Sequence, residues 1–437
     1  MSFFRKIVPE PIILWYHFLL SILGSILYGR PSKKMIIIGV VGTKGKTSTI
    51  NFIWSVLNAG GYKTGIVTTA NVKIGDKEVI NSAHRTMPGR FEMQKFLRTM
   101  ADSGCSHCII EPTSEGIKQH RHRGIDFDIL VFTNLSPEHL ASHGGSFENY
   151  KKTKGKIFAR LHKIKHKVFK CRRIDKVTII NADDDHANYY LSFKADKKIS
   201  YGKSESANYR AHNITEGKNG VKFETKGSKF SLQTLGTFNV YNALPAIVIG
   251  KIFNVPTNLI GRGLASLSTI PGRMQRIDEG QPFTVIVDYA HEGKSMYESI
   301  NACRKLAGKN RVLVLLGSEG GGRDIEKREA MGTVAGRDAN VVVASTTDPY
   351  DDDPKEILDM IAGASKKEGK RDGTDLFVIV DRRQGIRKIL SLAGIGDVVL
   401  ITGMGSQLTM IVEKGKVLPW DEIKIVKEEL QKLLKKK

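Results

Sequence analysis

Cysteine is scarce in this sequence, and its scarcity excludes a fold held together by disulfides. The 437 residues include four cysteines, which are Cys105, Cys108, Cys171 and Cys303. So few thiols in so long a chain are typical of a reducing compartment. Cys105 and Cys108 form one C-x-x-C without a second pair at zinc-ribbon spacing. We therefore interpret them as small residues at the start of a buried strand, not as a metal site.

Acidic residues are also in short supply. Asp and Glu total 45 against 68 Lys and Arg, so the formal net charge is +23. This excess favours an anionic partner such as nucleic acid, a membrane surface or a phosphorylated small molecule. The sequence has no aromatic-rich RNA motif and no recognition helix, so we expect no nucleic-acid partner. A solvated, lysine-rich surface accounts for the charge equally well.

One long apolar run lies near the start of the chain, over residues 12–28. It is flanked by Arg5 and Lys6 before it and by Arg30, Lys33 and Lys34 after it. Its length is at the short end for a spanning helix, and no small-residue cleavage site follows, which argues against a signal peptide. Three arrangements of residues 1–34 stay open: a helix lying on the inner face of the membrane, a short spanning anchor, or a helix docked on its own domain.

A glycine-rich loop follows the first strand-like segment. Residues 35–41 are apolar, as in a buried parallel strand, and a helical pattern ending at Gly60 and Gly61 comes after the loop. Backbone N–H groups of such a loop cradle phosphate oxygens. Lys46 would reach the outer phosphates and Thr47 would ligate magnesium. The predicted ATP-binding residues are Gly42, Thr43, Lys44, Gly45, Lys46 and Thr47.

The rest of the chain alternates strand-like and helical segments, which predicts an α/β fold. We expect a central P-loop ATPase domain with a parallel sheet over residues 35–270. A second strand–helix series starts near residue 285 and predicts a Rossmann-like, doubly wound domain over residues 271–437. Hydrophobic residues make up 41% of the chain, which is ample for both cores.

Several short motifs follow the loop in order. Residues 111–121 are EPTSEGIKQHR, residues 132–139 are FTNLSPEH, residues 150–154 are YKKTK, residues 236–242 are GTFNVYN, and residues 288–291 are DYAH. The loop itself has Val40 where the common G-x-x-x-x-G-K-[ST] pattern has its first glycine. This combination resembles the Mur ligases, which join amino acids to the peptide of bacterial cell-wall precursors. The resemblance covers residues 35–437, and it is strongest to the members that add the third amino acid.

The resemblance implies two magnesium ions and a set of catalytic residues. Thr47 and Glu111 would hold one ion, and Glu111, His139 and a carbamylated Lys154 would hold the second. Taken alone, His139 would be interpreted as a core or surface histidine, since magnesium prefers oxygen ligands. A carbamate would turn the Lys154 cation into an oxygen ligand. The catalytic residues are then Lys46, Glu111, His139, Lys154 and Arg273.

The resemblance also implies how nucleotide and substrates bind. The adenine and ribose would contact Asn239, Asn242, Asp288 and His291, and Arg273 would contact the phosphates. The acceptor, a UDP-muramoyl-peptide, would contact Thr86, Thr113, Gln119 and Arg121. The incoming amino acid would lie near Asp348, Tyr350, Gly403 and Gln407. The implied enzyme is a cytoplasmic monomer that uses ATP and Mg²⁺ to form an amide through an acyl phosphate.

Three departures from the family pattern leave the substrates open. About 34 residues precede the ATPase strand, too few for the usual uridine-binding domain, so either the uridine is held differently or the acceptor is carried on a lipid. Tyr350 stands where an Arg would bind the incoming amino acid, and three acidic residues follow that could suit a cationic side chain. Residues 403–407 lack the family's final Glu. A ligase of the folate-polyglutamate or cyanophycin type and a catalytically lapsed scaffold are the alternatives.

Overall fold

The computed structural model describes residues 9–75, 77–79, 87–138, 140–169, 171–322 and 325–435. Two predicted site residues, Thr86 and His139, lie outside these ranges. Contacts divide the chain into two units, and the first comprises the chain through Ile214 together with Lys222–Leu232 and Asn239–Leu267. The second unit comprises Thr215–Val221, Gln233–Phe238 and the chain from Ser268.

The first unit is built on a mainly parallel sheet. Its strands lie in the order β11-β10-β9-β6-β1-β5-β2-β3-β4. The strand bounds are β1 Ile36–Val41, β2 Thr64–Val67, β3 Val72–Ile74, β4 Lys77–Val79, β5 His107–Ile110, β6 Ile129–Phe132, β7 Val168–Phe169, β8 Arg172–Arg173, β9 Val177–Asn181, β10 Lys197–Gly202 and β11 Tyr209–Arg210. Strands β7 and β8 form a separate two-stranded ribbon. Only β3 and β4 run antiparallel to their neighbours, and the other pairs in this sheet are parallel, as predicted.

Helices cover this sheet, and the helix that follows β1 carries the glycine loop at its start. The helices of the first unit are α1 Glu10–Leu27, α2 Lys46–Ala59, α3 Arg90–Asp102, α4 Ser114–Lys118, α5 Phe147–Leu161, α6 Ala187–Leu191, α7 Asn239–Ile252 and α8 Thr257–Ser266. Every residue of β1, β5 and β6 is buried. A strand buried on both faces needs apolar side chains on both, which is why these segments are continuous apolar runs.

A small three-stranded sheet lies in the segment where the chain passes between the units. Its strands are β12 His212–Gly217, β13 Gly220–Thr225 and β14 Ser228–Leu232, and they pair in that order.

The second unit has its own doubly wound sheet. The strand order is β15-β16-β20-β17-β18-β19, with β15 Gln275–Ile277, β16 Thr284–Val287, β17 Val312–Leu316, β18 Val341–Ser345, β19 Leu376–Ile379 and β20 Val398–Ile401. Only β15 is antiparallel to its neighbour. The helices are α9 Gly293–Ala307, α10 Glu326–Asp338, α11 Pro354–Lys367, α12 Arg382–Leu392 and α13 Glu422–Lys435, and a hairpin is formed by β21 Thr409–Val412 and β22 Lys416–Pro419. The predicted fold class is confirmed in both units.

The apolar run near the start of the chain forms α1, which docks on the first unit through its small residues. Ser21, Gly24 and Ser25 are the buried positions of this helix. The Ser25 hydroxyl donates to the Gly124 carbonyl at 2.9 Å. Arg90 donates from Nε to the His17 carbonyl at 3.1 Å. Of the three arrangements open from the sequence, docking on the protein's own domain is therefore present.

Helix α1 is also the one helix, among the residues that the structure describes, that is long and apolar enough to cross a membrane. Most of its surface is not covered by the rest of the chain. Its bounds, Glu10–Leu27, match the apolar run of the sequence closely.

Candidate active site

The glycine loop joins the end of β1 to the start of α2, and two glycines are required there. A Cβ at Gly42 would collide with the Thr133 hydroxyl, and a Cβ at Gly45 would collide with the Asn242 side chain. Gly45 also has φ +78°, the left-handed region that favours glycine. The backbone of the loop can therefore approach its neighbours closely, as a phosphate cradle needs.

The segment after β6 holds the loop from outside. Asn134 accepts from the Thr43 N–H through its carbonyl and from the Lys44 N–H through its side chain, both at 2.8 Å. Thr133 donates to the Lys44 carbonyl at 2.8 Å. The Lys44 ammonium pairs with Glu138 at 2.7 Å. Residues 132–138 thus fix the shape of the glycine loop, a role that their sequence did not suggest.

Lys46 is placed at the mouth of this loop. Its ammonium donates to the Thr43 carbonyl at 2.7 Å and lies 3.8 Å from a Glu111 carboxylate oxygen. The side chain is 15% exposed, so its ammonium can reach solvent while it stays hydrogen-bonded to the loop. This position suits a cation that neutralises phosphate oxygens.

Glu111 is the second component of the site. It follows β5 and is 3% exposed, and it accepts from the Thr47 hydroxyl at 2.9 Å. Thr69, which follows β2, donates to the same carboxylate from its N–H at 3.2 Å and from its hydroxyl at 3.3 Å. The ends of β1, β2 and β5 thus converge on one carboxylate. Sequence reasoning missed Thr69, whose only signal was its position just after a strand.

Lys154 lies on α5 and reaches the same loop. It is 2% exposed, and its amine donates to the Gly42 carbonyl at 2.7 Å. The amine also lies 4.6 Å from the centre of the Tyr150 ring. Burial, followed by the charge of Lys46, lowers the pKa of Lys154 well below its usual value. The lowered pKa increases the fraction of the neutral amine, which is the nucleophilic form.

Tyr150 links α5 to the loop through a hydroxyl contact. Its hydroxyl and the Thr43 hydroxyl are 3.1 Å apart, and both residues are buried. The Ser136 N–H donates to the same Thr43 hydroxyl at 3.0 Å. The helix that carries Lys154 is therefore tied directly to the residue next to Gly42.

The start of α7 brings Asn239 and Asn242 to the other side of the loop. Asn242 donates from Nδ2 to Asn239 Oδ1 at 2.8 Å. Its own Oδ1 lies 3.5 Å from the Thr49 hydroxyl and faces Gly45. Both asparagines are buried, so their amide groups are held in place beside the loop. Their contact with adenine or ribose stays a prediction.

The predicted acceptor residues form a separate group after β5. Thr113 caps α4 by accepting from the Gly116 N–H at 3.0 Å. Arg121 donates to the Gln119 side chain at 2.8 and 3.2 Å and to the Met87 carbonyl at 2.6 Å. Gln119 and Arg121 thus act as one pair, which holds the guanidinium in a fixed orientation. Thr86, the fourth predicted residue, lies outside the described residues.

Histidines and arginines surround this acceptor segment. Burial, together with the neighbouring Arg123, lowers the pKa of His122 to about 3. Burial lowers the pKa of His120 as well, and burial and then Arg121 lower the pKa of Arg90 to about 10. Burial thus favours the neutral form of both histidines, whereas Arg90 and Arg121 stay charged. An anion would reduce the repulsion between these two arginines.

In the second unit, the predicted residues lie where strands of the parallel sheet end. Asp288 follows β16 and is 8% exposed, and it accepts from the N–H groups of Met274 and Ala290 at 2.7 and 2.9 Å. The Arg273 guanidinium lies 4.2 Å from the centre of the Tyr289 ring. His291 Nδ1 lies 2.7 Å from the Tyr289 carbonyl oxygen. Asp288 therefore shapes the turn that presents the other residues.

The segment after β18 contains Asp348 and Tyr350. Asp348 accepts from the Ile411 N–H at 2.8 Å through its carboxylate and from the Gly320 N–H at 2.8 Å through its carbonyl. Tyr350 has φ +53°, a conformation that is uncommon outside glycine, and it packs against Gly321. Both residues therefore organise the loops at this end of the sheet.

The three acids after Tyr350 each have a structural partner. Asp351 accepts from the Lys414 N–H at 2.7 Å, Asp352 pairs with Arg328 at 2.9 Å, and Asp353 caps α11 by accepting from the Lys355 N–H. These bonds use carboxylate oxygens that could otherwise face a cationic substrate.

Gly403 and Gln407 complete the predicted group after β20. Gly403 has φ +105° and lies close to Thr347. Gln407 donates to the Tyr289 hydroxyl at 3.4 Å. The ends of β16, β18 and β20 thus carry the predicted residues of this unit at one edge of its sheet.

The donor set in the first unit suits magnesium. The Thr47 hydroxyl and the Glu111 carboxylate are in contact, and both provide the hard oxygen ligands that Mg²⁺ prefers. No cluster of three or more His, Cys, Asp or Glu side chains occurs within the described ranges, and His139, a predicted ligand, is outside them.

Family comparisons agree with both halves of this arrangement. Residues 40–250 match the Mur ligase middle domain, and residues 272–405 match the Mur ligase, glutamate ligase domain. The UDP-N-acetylmuramyl-tripeptide synthetase of Roseiflexus sp. (strain RS-1) is 37% identical over 417 residues, which cover 92% of this chain and 80% of that protein.

The chain belongs to the Mur ligase family.

Other relatives agree with this assignment. The UDP-N-acetylmuramoyl-L-alanyl-D-glutamate–2,6-diaminopimelate ligase of Geobacillus kaustophilus (strain HTA426) is 36% identical, and the match covers 90% of this chain and 78% of that protein. This Mur ligase is thus an ATP-dependent enzyme of peptidoglycan biosynthesis that forms carbon–nitrogen bonds. The resemblance inferred from the motifs, to the members that add the third amino acid, is confirmed.

Solved structures support the fold of this ligase. A UDP-N-acetylmuramoyl-L-alanyl-D-glutamate–2,6-diaminopimelate ligase has a TM-score of 0.60 at 25% identity, covering 92% of this chain and 79% of that one. The Mycobacterium tuberculosis folylpolyglutamate synthase in complex with ADP and AMPPCP has a TM-score of 0.71 at 18% identity, covering 89% of this chain and 93% of that one. The second likeness concerns the fold alone.

Proposed function

We propose that this ligase adds an amino acid to a UDP-muramoyl-peptide through an acyl-phosphate intermediate. The observation that carries the proposal is the convergence of Lys46, Glu111 and Lys154 on one glycine loop. An adenine-nucleotide scaffold without catalysis would need only the loop. A buried carboxylate and a buried lysine beside the phosphates are explained by phosphoryl transfer.

In the proposed first step, an oxygen of the acceptor carboxylate attacks the γ-phosphorus of ATP. The bond from that phosphorus to the β–γ bridging oxygen breaks, and ADP leaves. Two anions must approach each other, so neutralisation of charge is the main requirement. Lys46 is positioned along the loop to supply it, and Arg273 is the predicted second cation.

In the proposed second step, the neutral amine of the amino acid attacks the carbonyl carbon of the acyl phosphate. The amine loses a proton, the carbon–oxygen bond to the phosphate breaks, and inorganic phosphate leaves. Exclusion of water protects the acyl phosphate from hydrolysis until the amine arrives.

Magnesium is the proposed metal, and Thr47 and Glu111 would hold it. When bound, the metal would neutralise and orient phosphate oxygens. His139 and a carbamylated Lys154 are proposed for a second metal. Lys154 suits carbamylation because a buried amine beside Gly42 would gain a carboxylate that faces the same loop.

Loss of the Lys154 side chain tests this carbamate directly. We expect Lys154→Ala to reduce phosphate release by more than about 100-fold, since metal and charge stabilisation contribute several kcal/mol. Short carboxylic acids such as acetate should restore part of the activity by replacing the carbamate oxygens. Lys152→Ala on the same helix, a residue that is 63% exposed, is the matched control. Failure of every small acid to restore Lys154→Ala would oppose the carbamate.

The acceptor is proposed to bind at Thr113, Gln119 and Arg121, with Thr86 as a further contact. The fixed Gln119–Arg121 pair and the neighbouring Arg90 suit the carboxylates and phosphates of a muramoyl-peptide. A lipid-linked acceptor offers the same chemistry at its peptide end.

The incoming amino acid is proposed to bind near Asp348, Tyr350, Gly403 and Gln407. With Tyr350 in place of an Arg, recognition of a second carboxylate is weakened, so an amino acid without a diaminopimelate-type end is favoured. Because Asp351, Asp352 and Asp353 already have partners, they do not by themselves select a cationic side chain.

The proposed setting is the cytoplasm, where ATP and the soluble precursors are present. The working form is proposed to be a monomer, with peripheral membrane contact through residues 12–28.

A phosphate-release assay tests the proposed function. The enzyme is supplied with ATP, Mg²⁺, UDP-muramoyl-dipeptide and each of a panel of amino acids. We expect release that needs both the acceptor and one class of amino acid. No stimulation by any muramoyl acceptor would contradict the proposal, and stimulation by a folate or cyanophycin acceptor alone would replace it.

A further inference from the structure

Helix α1 has two opposite faces of different character. Its buried residues, Ser21, Gly24 and Ser25, lie on one side. Its exposed large side chains lie on the other, and they are Ile12, Trp15, Tyr16, Leu19, Leu23, Ile26 and Leu27. At about 100° per residue, these seven positions fall within about 120° of arc, centred opposite the buried side. The stripe runs along the whole helix and contains no charged residue.

The exposed stripe is not explained by the stability of the first unit. Each of its seven side chains is 42–66% exposed. Scattered apolar residues on a surface are ordinary, but a continuous stripe of aromatic and aliphatic groups marks a surface that meets an apolar partner. Trp15 and Tyr16 lie within it, and such residues favour the boundary between apolar and aqueous phases.

Polar anchors fix the helix in its docked orientation. Glu10 pairs with Lys118 at 2.9 Å at one end. Further along the helix, the His17 carbonyl accepts from Arg90, and the Ser25 hydroxyl donates to the Gly124 carbonyl. A helix that crossed a bilayer would have to give up these contacts. The helix is therefore suited to lie in the plane of a surface, with the stripe outward.

The charges around the stripe identify the surface. The exposed basic residues of this region include Arg30, Lys33 and Lys34, which follow the helix, and Lys95 on α3, the helix that packs against Gly24. The acids on these two helices are Glu10, Glu92 and Asp102, of which Glu10 pairs with Lys118 and Asp102 with Arg98. An apolar stripe on a helix followed by exposed lysines matches the acyl and phosphate layers of an anionic leaflet.

We infer that α1 is an in-plane anchor that holds this enzyme on an anionic phospholipid leaflet. The anchor contacts the acceptor segment itself, because Lys118 pairs with Glu10, and the Phe18 and His120 rings meet edge to face at 5.9 Å. Resting on the proposed function, the inference places the acceptor-binding edge at the leaflet. A lipid-linked acceptor would then be presented where it is bound.

Vesicle flotation with the full chain tests the anchor without using activity. Vesicles of phosphatidylcholine alone and of phosphatidylcholine with phosphatidylglycerol are compared. We expect binding to the anionic vesicles that weakens as salt is raised. Leu19→Glu with Leu23→Glu should reduce binding by more than about tenfold, and Lys33→Ala with Lys34→Ala by roughly tenfold on the anionic vesicles only.

The matched control also replaces two exposed apolar residues with Glu, but outside the stripe. Ile395→Glu with Val417→Glu replaces two exposed apolar residues of the second unit, which are 84% and 53% exposed, and should leave binding unchanged. Circular dichroism and thermal unfolding verify that each variant folds.

Phosphate release with a soluble acceptor distinguishes failure of the anchor from failure of the proposed function. The Leu19→Glu, Leu23→Glu variant should lose vesicle binding but keep this phosphate release. Absence of binding to either vesicle would overturn the anchor, and so would an oligomer that is dispersed by the same double substitution. Equal binding by the stripe and control variants would overturn it too.

Discussion

Glu111 connects the parts of the phosphate site at the scale of single residues. Its carboxylate accepts bonds from Thr47 and Thr69 and lies near Lys46. In this position it can hold a metal and orient the threonine hydroxyl at once. The geometry follows from three parallel strands that end at one edge of the sheet.

Glu111→Gln removes the charge but keeps the shape. We expect phosphate release to fall by roughly 100-fold or more, because loss of a metal-binding carboxylate costs several kcal/mol of charge stabilisation. The melting temperature should change little, since the amide oxygen can still accept from Thr47. Glu115→Gln, an exposed change on α4, is the control. Unchanged turnover in Glu111→Gln would contradict the assigned role.

Gly45→Ala tests whether the loop needs its glycine for space or for backbone freedom. Gly45 and Gly61 both have positive φ, but only the Cβ of Gly45 would meet a neighbour, Asn242. We expect Gly61→Ala to cost about 1–2 kcal/mol of stability and to keep activity. Gly45→Ala should cost more and abolish ATP binding, measured by calorimetry. Equal behaviour of the two variants would show that the Asn242 contact is unimportant.

The sequence predicted some of these residues from a local pattern and others only through the family resemblance. Lys46 and Thr47 belong to a local pattern, so their position followed from the strand, loop and helix. The contact of Lys154 with the Gly42 carbonyl joins residues more than a hundred positions apart. Composition and periodicity contain no information on that distance, and only the resemblance to a family singled out Lys154 from its neighbouring lysines.

At the scale of elements, α12 and α13 are joined by a cluster of charges. Glu429 is 2% exposed and binds Arg383, Arg387 and Lys432 at 2.7, 2.8 and 2.9 Å. The hydrogen bond from Arg387 is the main cause that lowers the pKa of Glu429 to about 2. These charges join α13 to α12, in addition to the burial of Val426 and Leu430 in the hydrophobic core.

Acid should weaken this attachment. A carboxyl with a lowered folded pKa stabilises the native state above its unfolded pKa of about 4.3 and loses that contribution as pH falls towards 2. Each partly exposed pair contributes about 0.2–1 kcal/mol. We expect Glu429→Gln to have a lower free energy of unfolding than the parent at pH 7, as measured by denaturant unfolding. The difference between the two proteins should narrow between about pH 4.5 and pH 2. Glu428→Gln should show a smaller effect, and a pH-independent gap for Glu429→Gln would contradict this account.

The sequence predicted which segments form strands and helices better than it predicted what those elements pack against. The sequence predicted the buried strands β1 and β5, because a strand covered on both faces is a continuous run of apolar residues. The antiparallel strand β15 and the hairpin of β21 and β22 are short and left no such signal. The helix over residues 12–28 was expected, but its docking through Ser21, Gly24 and Ser25 depends on the shape of a distant surface around Gly124.

At the scale of the whole molecule, each of the two α/β units carries its own group of predicted residues. The first holds the loop, Glu111, Lys154 and the acceptor segment. The second carries Arg273, Asp288 and the candidates for the amino acid at the ends of β16, β18 and β20. The positive charge of the chain suits a protein whose substrates, nucleotide and proposed membrane surface are all anionic.

Lys46→Ala should abolish turnover, because its ammonium lies within the loop, beside the Thr43 carbonyl and Glu111. Phosphate release and ADP formation report the loss together. Lys44→Ala, which breaks a pair with Glu138 on the outer side of the loop, should retain more activity. Turnover by Lys46→Ala close to that of the parent would refute the loop assignment.

The central claim is that the acceptor carboxylate is phosphorylated before the amide forms. The most direct measurement supplies UDP-muramoyl-dipeptide whose carboxylates carry ¹⁸O, together with ATP, Mg²⁺ and the active amino acid, and analyses the released phosphate by mass spectrometry. The account predicts one ¹⁸O atom transferred from the acceptor to each phosphate formed. Amide formation with unlabelled phosphate would contradict it.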